Sequence, residues 1–312
     1  MSSPTRSYLK VAYDLRPAKQ VERRMLMDAF QRLTHAGFKI ADYQYTGFGS
    51  VYCVDVFLFP KLLGITKLLS VEHDTQIERR VRFNKPFKEI DVRIAPIGDV
   101  IPTLSPDLKH ILWLDYDDLI QREHLDDILQ AAINLSTGSI LLVTVDVEPP
   151  AGEDPAEWRR HYEAEAYDYL GGKARISEFA KSKLPGLNAH IISQVIKKGF
   201  TGRQAQFLPL FKFLYKDGHQ MLTVGGMVTT NSEQRVIRAS SLVDAPYYRP
   251  DLSKPEYEII VPRLTRKERL YLDCAMPCGN KWHPKDFELS RNEVLAYREI
   301  YRFFPAYAEL LL

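Results

Sequence analysis

Tyr43-Gln44-Tyr45-Thr46-Gly47-Phe48-Gly49-Ser50 ends a short β-type run in a Gly-x-Gly turn, and the next apolar run closes on two acids, Glu72 and Asp74. Glycines at 47 and 49 let the backbone turn sharply and approach a ligand, while a carboxylate at the tip of a second strand can accept hydrogen bonds from ribose hydroxyls. In that order the two features predict an α/β fold that binds the adenosine half of a cofactor.

Before this stretch, Arg16 to Leu33 opens with a proline and places Val21, Met25, Leu26, Phe30 and Leu33 at helical spacing, an amphipathic helix ended near Gly37. After it, residues 50–63 read as an apolar helix closed by Gly64, 66–72 as a second strand and 75–83 as a polar helix. Residues 91–97 give a third strand ending at Gly98-Asp99, 110–114 a fourth ending at Asp115, and 139–145 a fifth. Strands alternating with helices predict a mostly parallel, doubly wound, Rossmann-like sheet with helices on both faces. Glu148-Pro-Pro-Ala-Gly-Glu-Asp-Pro155 is loop chemistry, residues 155–202 look helical, and Asp217-Gly218 between two β-type runs predicts an antiparallel hairpin ending the sheet. Gly225-Gly226 inside the second of those runs suggests a bulge or a close backbone approach. Beyond Asn231 the pattern weakens to helices at 265–272, capped by Thr265, and 290–307. The expected organisation is a helical segment over 1–37, a Rossmann-like domain over 38–230 with a helical insertion or lid at 149–205, and an extension over 231–312 that packs on the core.

Of the 312 residues 45% are hydrophobic and 26% charged, which is ordinary globular composition. No apolar run is long enough to span a membrane and the N-terminus lacks a signal-peptide core, so a cytoplasmic protein with no membrane partner is expected. Three cysteines, Cys53, Cys274 and Cys278, fit a reducing compartment; Cys274-x-x-x-Cys278 with His283 falls short of a zinc set, so buried thiols are expected. The net charge of +2 says little about partners. Residues 1–40 and 173–203 are locally basic, read as solvated helix faces, with an anionic substrate or nucleic acid as the alternative.

The chain resembles the class I S-adenosylmethionine-dependent methyltransferases over about residues 38–230, through Gly47 and Gly49, Glu72, Asp99 and Asp115, the segment Val71-Glu72-His73-Asp74 with Asn84 ten residues on, and the late hairpin. The resemblance implies S-adenosylmethionine as cofactor: Thr46, Gly47, Phe48, Gly49 and Ser50 beside its methionine and sulfonium end, Glu72 with His73 and Asp74 at the ribose, and Gly98-Asp99 bordering the adenine, with Asp99 accepting from its amino group. Tyr45 stands where the family usually carries an acid, and Val51 where it often carries a third glycine.

Asp115, Asp117 and Asp146 are the candidates for chemistry, because ligands of such sheets sit beyond the carboxyl ends of the strands. Asp115 and Asp146 together suit Mg²⁺, similar to the catechol-type O-methyltransferases, but Val147 and Asp118 replace that subgroup's Asn and Lys. A metal-free version has Asp115 or Asp117 accept a proton from a hydroxyl. Arg16 and Lys19 read as a solvated first helical turn, Trp158, Tyr162 and Tyr169 as core rather than lid, and His219 as an exposed, inert turn residue. The expected activity is O-methyl transfer to an acceptor whose class (small molecule, nucleic acid or protein) the sequence does not give. The alternatives are a methyltransferase-like nucleotide- or partner-binding protein without turnover and an NAD-dependent oxidoreductase, which Tyr52 disfavours at the fingerprint's third small position. Oligomeric state is not legible.

Overall fold

Ile140-Leu-Leu-Val-Thr-Val-Asp146 is buried at every position, as a strand covered on both faces must be, and its neighbours follow from it. A computed structural model describes residues 16–148, 154–172 and 175–305. The strands are β1 (Gln44–Phe48), β2 (Lys67–Glu72), β3 (Ile90–Ile94), β4 (His110–Asp115), β5 (Ile140–Asp146), β6 (Gln206–Asp217), β7 (His219–Thr229) and β8 (Tyr257–Ile259). They form one sheet in the order β3-β2-β1-β4-β5-β7-β6-β8, with β1 to β5 parallel and β7 antiparallel to both β5 and β6. This is the expected Rossmann-like, mostly parallel arrangement with an antiparallel hairpin. The helices are α1 (Pro17–His35), α2 (Val54–Leu63), α3 (Glu78–Phe83), α4 (Ile97–Val100), α5 (Arg122–Asn134), α6 (Pro155–Ala166), α7 (Leu184–Gly199), α8 (Asn231–Arg238), α9 (Arg266–Ala275) and α10 (Arg291–Ile300).

Two apolar layers clamp the sheet. On one face Val21, Met25, Leu26, Phe30 and Leu33 of α1 and Phe59 of α2 meet Tyr45, Trp113, Leu142, Phe211 and Phe213. On the other, Leu125 and Ile128 of α5 and Ile192 and Val195 of α7 cover Leu112, Leu114, Val143 and Val145. Each such side chain contributes about 1.5–3 kcal/mol when fully buried. Trp158, Tyr162 and Tyr169 belong to the second layer, as core.

Several boundaries differ from the sequence reading, each for a local reason. Residues 40–42 form a 3₁₀ turn, so β1 starts later and Gly47 is a strand residue paired with Ser70 and Trp113 rather than part of the turn. The turn's left-handed residue is Cys53, at φ 51°, and α2 begins only after it. The Asp217-Gly218-His219 hairpin forms, but it is not the sheet's edge: β8 pairs parallel with β6, Phe213 to Tyr257 and Tyr215 to Ile259. Lys212, 2% exposed, anchors that extra strand through Glu256 at 2.8 Å and the carbonyls of Leu252 and Lys254. A bulge between Pro209 and Phe211 faces Gly225-Gly226, and a Cβ at Gly226 would collide with the Leu208 carbonyl, so that pair serves strand packing. Thr265 and Ser290 cap α9 and α10 with full capping boxes. Cys53 is buried as expected, whereas Cys274 is exposed. The loop expected at 148–155 lies outside the described residues over 149–153, as does the start of the basic 173–203 segment; the helix expected to reach 307 ends at Ile300, followed by a turn. Among the described residues no helix is long and apolar enough to cross a membrane.

Candidate active site at the carboxyl ends of the strands

At Gly49 a side chain would crowd its neighbours. A Cβ there would lie 3.0 Å from Ser70 Oγ and 3.1 Å from both the Glu72 Cβ and the Val71 carbonyl, and the Gly49 N–H donates to that carbonyl. The β1–α2 turn is thereby pressed against the tip of β2. Asn84 ties the same turn down from the far end of α3, donating to the Val51 carbonyl at 2.9 Å. Ser50 shapes its interior, accepting from the Tyr52 N–H at 3.2 Å and, at its carbonyl, from Cys53 Sγ at 3.3 Å.

Gly47 has a different reason. A Cβ there would run into the Tyr45 hydroxyl, so the tyrosine standing in place of the family's usual acid folds over Gly47 on the α1 face of the sheet. Tyr45 is 2% exposed and packs edge-on against Phe59 at 4.6 Å; burial, with Asp55 and Asp115 nearby, pushes its hydroxyl pKa far up. Thr46 and Phe48 face the opposite layer, where the Thr46 hydroxyl is buried and Phe48 meets Tyr116 edge-on at 5.1 Å.

Glu72 ends β2 at 8% exposure. Its Oε1 accepts from the Asp74 N–H at 2.9 Å, and the His73 N–H also leans on the carboxylate. Burial raises its pKa against the opposing pull of that hydrogen bond. His73 points outward, 85% exposed, with Nδ1 3.6 Å from Glu72. Asp74 turns away to cap the 3₁₀ turn at 75–77, accepting from Gln76 at 2.9 Å. Only Glu72 of this trio is therefore presented at the strand end as an acceptor.

Gly98 and Asp99 open α4 beyond β3, and Asp99 is exposed. The carboxylate packed against Gly98 belongs instead to Asp127 of α5, whose Oδ1 would lie 2.7 Å from a Cβ at position 98. Asp127 Oδ2 accepts from the Tyr116 hydroxyl at 2.8 Å, and Tyr116 stacks on His124 at 3.9 Å. Burial raises Asp127 to about 6 and lowers His124 to about 4.

The acids read as catalytic separate into two groups. Asp115 Oδ1 accepts from Lys19 Nζ at 2.7 Å; the same ammonium lies 3.0 Å from Glu22 Oε2, 3.1 Å from the Tyr215 hydroxyl and 4.3 Å over the Trp113 ring. Lys19 is fully buried and Arg16 only 7% exposed, which corrects the expectation of a solvated first helical turn. Asp217, in the hairpin, holds the start of α1 by accepting from the N–H groups of Ala18 at 3.0 Å and Lys19 at 2.8 Å. Burial would raise Asp115, but Lys19, with Arg16 and Arg23, outweighs it and the carboxyl titrates below its usual range. Asp117 is exposed and lies 3.8 Å from Arg16 Nη1.

Asp146 stands two residues beyond Thr144, the register partner of Asp115. Its Oδ2 is 2.8 Å from His219 Nδ1, and its Oδ1 accepts from the Glu148 N–H at 2.6 Å. His219 is exposed, as the sequence suggests, but it is engaged: Asp146 orients its ring. Asp115 and Asp146 thus each have a nitrogen partner of their own, with the Lys19 ammonium in the position a divalent cation would need beside Asp115. Among the described residues no three His, Cys, Asp or Glu side chains come together as a metal set. These residues do not fit Mg²⁺ as Asp115 and Asp146 stand.

A family model described as "Putative O-methyltransferase" matches residues 11–312. Among solved structures, the chain is similar to the plantazolicin methyltransferase BamL in complex with a triazolic desmethylPZN analog and SAH (10% identity, TM-score 0.43, covering 72% of this chain and 92% of that one). It is also similar to a putative O-methyltransferase from Klebsiella pneumoniae (13%, 0.41, 73% and 93%). A third is Trm1 from Pyrococcus horikoshii with S-adenosyl-L-methionine (12%, 0.40, 69% and 58%). No curated protein matches the chain.

Proposed function

The chain belongs to the family described as "Putative O-methyltransferase", and from that premise we propose that it transfers a methyl group from S-adenosylmethionine to an oxygen of its acceptor. The observation that carries the cofactor reading is Glu72: a nearly buried carboxylate at the tip of β2, held by the Asp74 N–H on Oε1, with the Gly49 backbone pressed against it. An ionised carboxylate so placed has lone pairs to accept from vicinal hydroxyls. The 46–50 backbone would flank the methionine end, and Gly98, Phe48 and Tyr116 the adenine.

When bound, the cofactor supplies a methyl group on a positively charged sulfur. The chain's task is then to align an oxygen nucleophile and take its proton. Asp115 suits the first half of that task better than the second. A carboxyl held below its usual range by Lys19 is a weak proton acceptor, but it is a fixed negative charge at the end of β4. His219 is the better base, because Asp146 holds Nδ1 of a largely exposed ring, the arrangement in which a carboxylate orients an imidazole. Asp146 becomes a positioning residue on this reading, and Asp117 an exposed charge at the rim.

Tritium transfer from methyl-labelled S-adenosylmethionine to a panel of phenols, catechols and hydroxy acids tests the proposal. Labelled O-methyl product with the unaltered protein, lost in His219→Gln, is the expected outcome. Product that forms equally well without His219 removes it from the base role, and N- or C-methyl product overturns the assignment to oxygen.

A further inference from the structure

We propose that the outward face of α3 and the segment after it, residues 78–88, binds single-stranded RNA: Phe83 stacks on an unpaired base while the cations around it take the phosphates on either side. This goes beyond methyl transfer and does not depend on it.

Phe83 is 87% exposed, the most exposed large apolar side chain among the described residues. Helix α3 buries only Val81, so the ring stands on its outer face. Arg79 and Arg80 are exposed one turn before the ring, and Arg82 and Lys88 are exposed before and after it. From 78 to 88 the chain carries Arg79, Arg80, Arg82, Lys85 and Lys88 against Glu78, in a protein whose net charge is only +2. Arg82 is paired with Glu78 at 2.8 Å and Lys85 donates to the Ile90 carbonyl at 2.9 Å, which fixes the frame of the segment. Beside it, Phe57 of α2 stacks on Phe87 at 6.0 Å and Lys61 Nζ lies 4.0 Å over the Phe57 ring, so α2 adds a further cation. The face borders the strand-end site: α3 follows the turn after Glu72, and Asn84, next to Phe83, donates to the Val51 carbonyl at 2.9 Å.

An exposed ring is a platform for any base, because every base has a π-face. Guanidinium groups beside it match phosphate oxygens as planar forks. A duplex keeps its bases stacked on one another and would use the cations alone, whereas RNA loops and ends offer their bases unpaired. An anionic membrane suits the face less well, since an interfacial helix sets rings and cations on opposite faces and here they share one.

The experiment is fluorescence-anisotropy titration of the full-length protein, without cofactor, against a labelled oligouridylate of about 12 nucleotides, a GC-rich RNA duplex and an oligodeoxythymidylate of similar length, with phosphatidylserine-containing vesicles in a parallel sedimentation assay. The oligouridylate is expected to bind with a dissociation constant below about 100 μM at roughly 50 mM salt. Phe83→Ala should weaken that binding about fivefold or more, leaving the salt slope and the duplex affinity unchanged. Arg79→Gln combined with Lys88→Gln should flatten the slope of log affinity against log salt by about 0.7 per cation removed. Leu270→Ala, which trims an exposed side chain on α9, should change nothing. No saturable binding of the oligouridylate overturns the proposal. So does equal binding by Phe83→Ala, which would leave only a general attraction for polyanions. An oligodeoxythymidylate bound more than about tenfold tighter overturns the choice of RNA, and tighter binding to the vesicles assigns the face to a membrane instead. Because no cofactor is present, each of these failures leaves the methyl-donor reading standing.

Discussion

Asp115 and Asp127 both lie near the carboxyl end of β4, on opposite layers of the sheet, and their surroundings push them in opposite directions. Asp115 sits at the mouth of a polar cluster filled by α1, where Lys19 donates to Asp115 and Tyr215 and its ammonium lies 3.0 Å from Glu22. Asp127 sits among acids with a single phenol for company. One carboxyl is held below its usual range and the other is raised to about 6. A charge whose partners all come from the chain fixes α1 onto the sheet; a carboxylate among acids keeps its proton to higher pH. The same contrast separates Gly47, which is filled over by Tyr45, from Gly49, which brings a turn up to Glu72.

The first way to break the comparison is Lys19→Met. It leaves Asp115 and Glu22 buried without their cation, and breaking a buried pair costs about 3–5 kcal/mol. Urea denaturation should show a loss of that size, and a loss below about 1 kcal/mol would mean that the cluster does not anchor α1. Glu72→Ala comes next: affinity for S-adenosylhomocysteine should fall by about 1.5–3 kcal/mol, with the urea midpoint almost unmoved. Unchanged affinity would reduce Glu72 to a helper of the turn at Asp74. Gly47→Ala should destabilise by about 1–3 kcal/mol through the clash with Tyr45, and adding Tyr45→Phe should recover part of that loss. Failure to recover any of it would place the conflict elsewhere.

The remaining effect is a pH dependence. The folded-state pKa of Asp127 is raised from 3.8 to about 6, so its contribution to stability is present below 3.8 and is lost as pH rises through about 6. Asp127→Asn should therefore be more stable than the unaltered protein at pH 7.5 and not at pH 3.5, read from urea midpoints. A constant difference at both would contradict the shift.

The strands of the parallel sheet were legible because two-sided burial writes itself as apolar runs such as Ile140 to Val145, and the hairpin because Asp217-Gly218 permits the tight turn. Glu72 was legible by its place after such a run. Lys19 was not, since its partners Asp115 and Asp217 lie 96 and 198 residues away. A signal existed: the apolar stripe through Phe30 and Leu26, continued backwards at helical spacing, lands on Glu22 and Lys19. Asp127 was hidden as one acid among several on α5, and His219 because nothing local shows that its turn meets the end of β5. Three-residue β8 carries too little pattern to be read; a buried lysine on a distant strand holds it.

The most direct measurement is calorimetric titration of the unaltered protein with S-adenosylhomocysteine, with NAD as the control. Saturable one-to-one binding of the adenosyl compound with a dissociation constant below ~1 mM, and no comparable binding of NAD, is the result expected. Binding of NAD with none of S-adenosylhomocysteine would contradict the assignment of this strand-end site to a methyl donor.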